Sequence, residues 1–404
     1  MYLNIFYVYN LDIFMIKIIN ECYKSIKPNI LKTPLQYSER LSNLYKTNIY
    51  LKREDLQKTR SFKIRGNLNK INNLLKSNKK SIKNGFICAS AGNHAQGFSY
   101  ICKKMKINGI IYVPKVTPLQ KINRIKYYGG EYVEVKIFGR NFDDCLNKSI
   151  QESEKLNRHF IHPYDDYDII NGQSTIAYEI YEDLKPDFII SPVGGGGLIS
   201  GISQFSKESN THCKIIGIEP EGAESLRLAF NNNQPTKKET IDTFVDGASV
   251  PIVGNKTFNI CRKNIDKLYS VSNKKISFEL VNSYQDDGII LEPAGVLSIA
   301  ALDELNKDYN LRNKNIVCVL SGGNNDITRY GEIMQLNLEY MGLVHYFILE
   351  FNQNPGILKF FINNILKDNI DIIRFEYIKK TNKDYGKVLL GIQLPQKDEL
   401  SYLK

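Results

Sequence analysis

Apolar positions along this chain fall into two spacings that alternate from Ile49 onward. Short runs rich in Ile, Val, Phe and Tyr predict strands over 86–89, 110–113, 132–137, 188–190, 214–218 and 316–320. Between them apolar residues recur at helical spacing, as in Phe98, Ile101, Cys102 and Met105, and again in Ile176, Ala177, Ile180, Tyr181 and Leu184. Strand and helix in alternation predict an α/β fold with open, mostly parallel sheets covered by helices.

The pattern changes after Asp326. A strand-like segment over 345–351 precedes a turn at Asn354-Pro355-Gly356. A helix follows with Ile357, Leu358, Phe361, Ile362 and Ile365 inward, then strands over 371–378 and 387–394 joined by the turn-rich 381–386. This βαββ tail is too small to be stable alone and should pack on the main domain or on a second subunit. The expected organisation is an N-terminal extension over 1–19, a main domain over 20–326, a linker over 327–342 and a small α+β module over 343–404. The extension is apolar but carries Asn4, Asn10 and Asp12, with no basic start and no small-residue cleavage site. It therefore reads as a poorly ordered segment rather than a signal peptide or a spanning helix, with Met15 as an alternative start of translation.

Composition narrows the picture. With 404 residues, 42% of them hydrophobic and 24% charged, the chain can bury a large core. The net charge of +11 is spread along the sequence and mixed with Asp and Glu, so no basic arm for nucleic acid is present. Seven widely spaced cysteines without a Cys-x-x-Cys argue against a disulfide framework and against a zinc site, and point to a reducing, cytoplasmic compartment. Of the five histidines only His159 and His162 stand close, which supplies no metal-ligand set.

Candidate chemistry starts at Thr59-Arg60-Ser61-Phe62-Lys63-Ile64-Arg65-Gly66-Asn67. Ile64, Leu68, Ile71, Leu74 and Leu75 predict a helix with Lys63 in its first turn and Ser61 as N-cap. A cation there faces the positive end of the helix macrodipole, which favours a neutral, nucleophilic amine suited to Schiff-base chemistry. Taken alone, a Ser-x-Lys is more often a solvated surface lysine. Three further stretches change that balance, each at a strand-to-helix junction, where open α/β sheets place ligands. Gly194, Gly195, Gly196 and Gly197 offer backbone N–H groups and a helix start to a phosphate, without the Lys of a P-loop or the spacing of a dinucleotide fingerprint. Ser90-Ala91-Gly92-Asn93-His94-Ala95-Gln96-Gly97 offers short polar groups to a carboxylate or ring hydroxyl. His94 has two readings, a proton carrier or a hydrogen-bonded helix start. Ser321-Gly322-Gly323-Asn324 places a hydroxyl near a sheet end, within reach of a heterocyclic nitrogen. Glu292, before Pro293-Ala294-Gly295, is either a helix cap or a wall of the same cleft. An electrophilic cofactor with a phosphate handle, pyridoxal phosphate, unites these features.

These four motifs, in this order, resemble the threonine dehydratase (threonine ammonia-lyase) family of fold-type II pyridoxal phosphate enzymes, from about Thr33-Pro34-Leu35 to Asp326. The resemblance implies a two-lobed catalytic domain like that of tryptophan synthase β, and a tail resembling a single ACT-like regulatory module of the biosynthetic, isoleucine-pathway enzymes. It implies that Lys63 carries the cofactor as a Schiff base, with Phe62 and Leu198 beside it. Asn93 would contact the ring hydroxyl, Gly194 to Gly197 the phosphate and Ser321 the ring nitrogen. Ser90, Gly92, Asn93 and His94 would receive the substrate. The implied reaction is dehydration of L-threonine to 2-oxobutanoate and ammonia, in a homo-oligomer responsive to isoleucine or valine. Ser174 stands where the family more usually has glycine and Val296 where it has alanine, and the tail stops before the last helix and strand of an ACT-like module. Competing readings are an L-serine dehydratase or serine racemase of the same fold, and a non-catalytic pyridoxal phosphate or amino-acid-binding regulator.

Overall fold

The computed structural model describes residues 15–77, 81–209, 212–366, 369–378 and 383–402. Residues 1–14 of the expected extension, and part of the turn over 381–386, lie outside them. Residues 15–26 are helical, and Ile19, only 1% exposed, is part of the core, so the extension does not reach residue 19.

Two compact units divide the chain, the first running to Asn273 and resuming over Ser283–Asp326. Its larger sheet is built from β1 (Leu35–Tyr37), β2 (Asn48–Arg53), β7 (Phe188–Pro192), β8 (Lys214–Pro220), β9 (Lys267–Val271) and β10 (Asn315–Leu320) in the order β1-β2-β10-β7-β8-β9. All neighbours are parallel except β1 and β2. The smaller sheet, β5-β4-β3-β6, is wholly parallel and comprises β3 (Phe86–Ala89), β4 (Gly109–Val113), β5 (Val133–Ile137) and β6 (His159–Phe160). Central strands such as β3, Phe86-Ile87-Cys88-Ala89, are buried throughout because helices cover both faces, which is why they read as unbroken apolar runs.

Each sheet has its own core, and the Lys63–Ser77 helix joins them. Ile64, Leu68 and Ile71 bury with Phe98, Ile101 and Cys102 against the smaller sheet. Phe62, one residue earlier than the helix, packs with the core of the larger sheet. Lys63 therefore sits where the chain crosses between two cores. Ser61 does not cap this helix. Its hydroxyl is buried without a hydrogen-bond partner, because its backbone is committed to an antiparallel bridge with Gly322.

Arg65 anchors the same helix from its other side. Completely buried, it donates to both oxygens of Glu54 (2.8 and 2.7 Å) and both oxygens of Glu179 (2.8 and 2.8 Å). Lys52 of β2, also buried, donates to Glu179 at 2.6 Å and to the Thr33 carbonyl at 2.7 Å. Two cations thus meet two carboxylates in a dry interior, tying β2, the Lys63–Ser77 helix and the Tyr167–Asp183 helix together.

The second unit comprises Lys274–Asn282 and the chain from Ile327. The expected linker is instead a short helical turn, Ile327–Arg329, and a helix, Tyr330–Met341, ended by Gly342 at φ 72°. Ile333 and Asn337 are buried on it, and Tyr340 stacks on Phe278 with ring centroids 4.9 Å apart, so this segment is part of a packed unit. Beyond it β11 (Val344–Asn352), a helix Ile357–Asn364, β12 (Asp371–Tyr377) and β13 (Tyr385–Gln393) follow in the predicted βαββ order. The antiparallel sheet runs β11-β13-β12 and buries Phe351, Phe361, Val388, Leu390 and Ile392 against one face. Among the described residues no helix is long and apolar enough to cross a membrane.

Removing Arg65 by Arg65→Ala leaves two buried carboxylates facing one ammonium and should destabilise the protein by about 3–5 kcal/mol, read as a lower urea midpoint. A change below about 1 kcal/mol would show that water or rearrangement compensates the loss.

Candidate functional site

Loops at the carboxyl ends of β3, β4, β7 and β10 open onto one cavity of ≈ 530 Å³. Lys63, Phe62, Ser90, Gly92, Asn93, His94, Gly194, Gly195, Gly196, Gly197, Leu198 and Ser321 all line it, so every residue assigned from sequence to the cofactor or the substrate is brought to the same space, whereas Ser61, Ser174 and Val296 are buried outside it. Glu292 is there too, as a wall rather than a cap, since its side chain makes no bond to the helix it precedes.

Backbone pairing fixes the lysine against the Ser321 loop. The Phe62 N–H donates to the Ser321 carbonyl at 3.1 Å and the Gly323 N–H to the Arg60 carbonyl at 2.9 Å, on either side of the Ser61–Gly322 bridge. A Cβ at Gly322 would lie 2.3 Å from Glu292 Oε1, so a side chain here would have to displace the Glu292 carboxylate. The Lys63 amine donates to the Pro163 carbonyl at 2.9 Å and lies 5.2 Å from the centre of the Phe62 ring. Burial pushes it down to about 8 from the usual lysine value, with the Glu292 carboxylate working the other way.

The glycine loop leaves β7 at Pro192 and enters the Gly197–Ser209 helix. Gly196 holds φ at +89°, and a Cβ on Gly195 would lie 2.4 Å from the Tyr164 ring. Thr257 Oγ1 donates to the Gly195 carbonyl at 2.8 Å, satisfying that acceptor within the loop. The result is a run of small residues ending in the first-turn N–H groups of a helix, which have no partner within it, a geometry for a phosphate.

On the opposite wall Asn93 opens the Asn93–Met105 helix. Its Nδ2 donates to Glu292 Oε1 at 2.6 Å, and its Oδ1 accepts from Asn324 Nδ2 at 2.8 Å. Burial raises the Glu292 carboxyl to about 7, with Asp246 adding to the rise and the Asn93 hydrogen bond opposing it. Ser90 Oγ accepts from the Gly92 N–H at 3.2 Å and shapes the loop before the helix. Ser321 Oγ, 3% exposed, donates to the Ala294 carbonyl at 3.2 Å. His94 Nε2 donates to the Ile161 carbonyl at 3.0 Å, and burial pushes its imidazole down to about 3. Burial thus favours the neutral imidazole, and the bond to Ile161 fits the reading of His94 as a hydrogen-bonded helix start.

Several cavity residues carried no sequence signal. Tyr164 forms the floor under Gly195 and Gly197, and the Lys121–Asp246 ion pair stands at the mouth. Tyr164 and Asp246 lie in irregular segments whose periodicity predicts nothing, and Lys121 is a polar position in the first turn of the Leu119–Gly129 helix. Arg60 was in view only as part of the lysine motif.

With this geometry in place, comparison with known proteins is informative. Residues 26–322 match the family model described as pyridoxal-phosphate dependent enzyme, and residues 337–404 the C-terminal regulatory domain of threonine dehydratase. The chain is 44% identical to a biosynthetic L-threonine dehydratase of Staphylococcus epidermidis over 394 residues, which is 96% of this chain and 92% of that one. Among solved structures, the processed form of threonine deaminase isoform 2 from Solanum lycopersicum aligns with a TM-score of 0.75 and 36% identity, over 80% of this chain and 93% of that one. Serine racemase from Dictyostelium discoideum aligns with a TM-score of 0.70 and 32% identity, over 77% and 98%.

The lowered Lys63 value predicts the pH dependence of its reactivity. Because the amine prefers the neutral form in the folded state, the unfolded chain binds the extra proton between about pH 8 and the usual lysine value, and this group makes stability rise with pH in that window. Acylation of the cofactor-free protein, followed site by site with mass spectrometry, should show Lys63 reacting with a midpoint near pH 8 and exposed lysines later. A Lys63 midpoint equal to theirs would contradict the enclosure described.

Proposed function

The chain belongs to the pyridoxal-phosphate-dependent enzymes of the threonine dehydratase family, and we propose that it converts L-threonine to 2-oxobutanoate and ammonia, losing the β-hydroxyl as water and taking one water back on hydrolysis, the first step of isoleucine biosynthesis. The observation that carries this reading is a half-buried lysine, its pKa lowered to about 8, facing a glycine cradle across one cavity, in a chain with a regulatory domain of the same family.

The cofactor fits the residues present. Lys63 supplies an amine already pushed toward neutrality, and the Gly195 approach to Tyr164 leaves backbone donors where a side chain would otherwise stand. In this proposal Lys63 holds the cofactor, Gly194 to Gly197 and Leu198 surround its phosphate, Asn93 meets its ring hydroxyl, Ser321 its ring nitrogen and Phe62 its face. When bound, pyridoxal phosphate supplies the carbonyl that takes up the substrate amine and a ring that delocalises the electron pair left on Cα. A neutral serine beside the ring nitrogen suits elimination, which needs that charge only transiently.

The protein's own groups do the rest. Lys63, once displaced, is the base that takes the Cα proton, and a pKa near 8 lets it both accept and return protons near neutrality. Ser90, Gly92, Asn93 and His94 form the loop that receives the substrate carboxylate; neutral His94 contributes position and not charge. The β-hydroxyl leaves as water, and the released enamine hydrolyses to 2-oxobutanoate and ammonia. The catalytic part is taken to end at Asp326 and the regulatory part to begin at Leu343, with isoleucine and valine as effectors, a homo-oligomer as the assembly and the cytoplasm as the compartment. A serine racemase or serine dehydratase is less favoured, because residues 337–404 match the C-terminal regulatory domain of threonine dehydratase. A regulator without turnover is disfavoured by retention of Lys63.

A keto-acid assay with threonine and serine, with and without isoleucine and valine, tests this. Threonine should be the better substrate, isoleucine should inhibit, and Lys63→Ala should lose both the visible absorbance of the bound cofactor and at least about 10³-fold in kcat. Full activity in Lys63→Ala, or serine racemised without keto acid, would refute the assignment.

A further inference from the structure

Resting on the threonine elimination inferred above, we propose that Arg60 is a binding residue for the carboxylate of the amino-acid substrate. Arg60 lies three positions before Lys63 and lines the same cavity. Its backbone holds φ at +54°, a left-handed conformation that a residue with a side chain adopts only when its surroundings impose it. The surroundings do so here: the Arg60 N–H donates to the Gln57 carbonyl at 2.6 Å, and its own carbonyl accepts from Gly323. A glycine would sit at this position without strain, so the arginine side chain is the feature to explain.

Its guanidinium has no hydrogen bond and no ion pair among the described residues. Arg40, Arg53 and Arg65 each meet a carboxylate. Around the cavity Lys121 pairs with Asp246, Arg124 donates to Tyr128 Oη at 3.3 Å and lies over its ring, Lys63 donates to Pro163, and Glu292 accepts from Asn93. Arg60 is left as a permanent positive charge with its fork of donors unused. Room is made for it as well, since a Cβ on Gly323 would come 3.0 Å from Arg60 Nη2. Its field reaches Glu292, where it opposes the rise of the carboxyl, and Glu292 is bonded to Asn93 of the loop expected to receive the substrate. A free amino acid brings one carboxylate into this space, and a planar guanidinium can take both of its oxygens.

Arg60→Gly is a clean test because it removes the guanidinium while relaxing the backbone. The holoenzyme variant should keep the visible cofactor absorbance and an equal or higher Tm. Its KM for L-threonine should rise about tenfold, the effect of one charge-assisted hydrogen bond near solvent, with a smaller change in kcat and an intermediate KM in Arg60→Lys. Titration of L-threonine and of L-threonine amide, followed by cofactor absorbance, separates charge recognition from general disturbance. The variant should lose about tenfold for the acid and little for the amide. An unchanged KM and affinity, equal losses for acid and amide, or wild-type protein that does not bind threonine would overturn the role of Arg60. Wild-type protein that binds threonine but forms no keto acid would refute the elimination reaction and leave the binding comparison to judge Arg60.

Discussion

The buried charge cluster around Arg65 is the constraint on which the site depends. Bringing two cations and two carboxylates out of water is costly, and such a cluster is tolerated only when every partner is in place. Here each is: Arg65 spans Glu54 and Glu179, and Lys52 completes Glu179. Burial draws Lys52 below its usual value, while its cationic neighbours hold Glu179 below the carboxylate range. A cluster of this kind adds little net stability over an apolar core, but it admits few alternative arrangements. It therefore fixes the first turn of the Lys63–Ser77 helix in rotation and in depth. Residues two apart on a helix face different ways, so holding Arg65 in the cluster turns Lys63 toward the cavity.

Lys63 gains its character from that placement. The sequence suggested the helix macrodipole as the cause of a reactive amine, whereas enclosure between two cores is the dominant cause in the structure. Only a residue at the crossing from the larger-sheet core to the smaller one is enclosed by both and still opens onto the space between them. The isolated bridge from Ser61 to Gly322 serves the same end, setting the lysine loop and the Ser321 loop in register across the cavity.

Much of this was legible because buried parallel strands write continuous apolar runs, and because glycine and short polar residues mark loops that must approach a ligand. β3, β4, β7, β8 and β10 fall on their predicted positions with ends displaced by a residue or two. β2 escaped because its sequence, Asn-Ile-Tyr-Leu-Lys-Arg, ends in charges that normally mean solvent, and the partners that neutralise Lys52 lie far along the chain. The same blindness to distant partners made Ser61 look like a cap, left the role of His94 open and turned a packed helix over Tyr330–Met341 into an expected linker. Local pattern reveals which residues are apolar or small. It does not reveal which charge will meet which.

Asn93 illustrates how the two lobes share the cavity. Through its amide, the helix after β3 is joined to Glu292 and Asn324 of the larger-sheet lobe, and Asn324 continues to the Thr59 carbonyl at 2.9 Å, just before the lysine motif. A primary amide has two N–H donors and an oxygen with two lone pairs, so these bonds leave one donor and one acceptor position unspent. A ring hydroxyl can both accept from the first and donate to the second without breaking the bridge between lobes. Glu292, lifted to about 7 by burial, stands at the other end of the same amide and can exchange a proton near neutrality. Any change in its protonation would be felt first at Asn93, and through it by whatever occupies the space in front of Lys63.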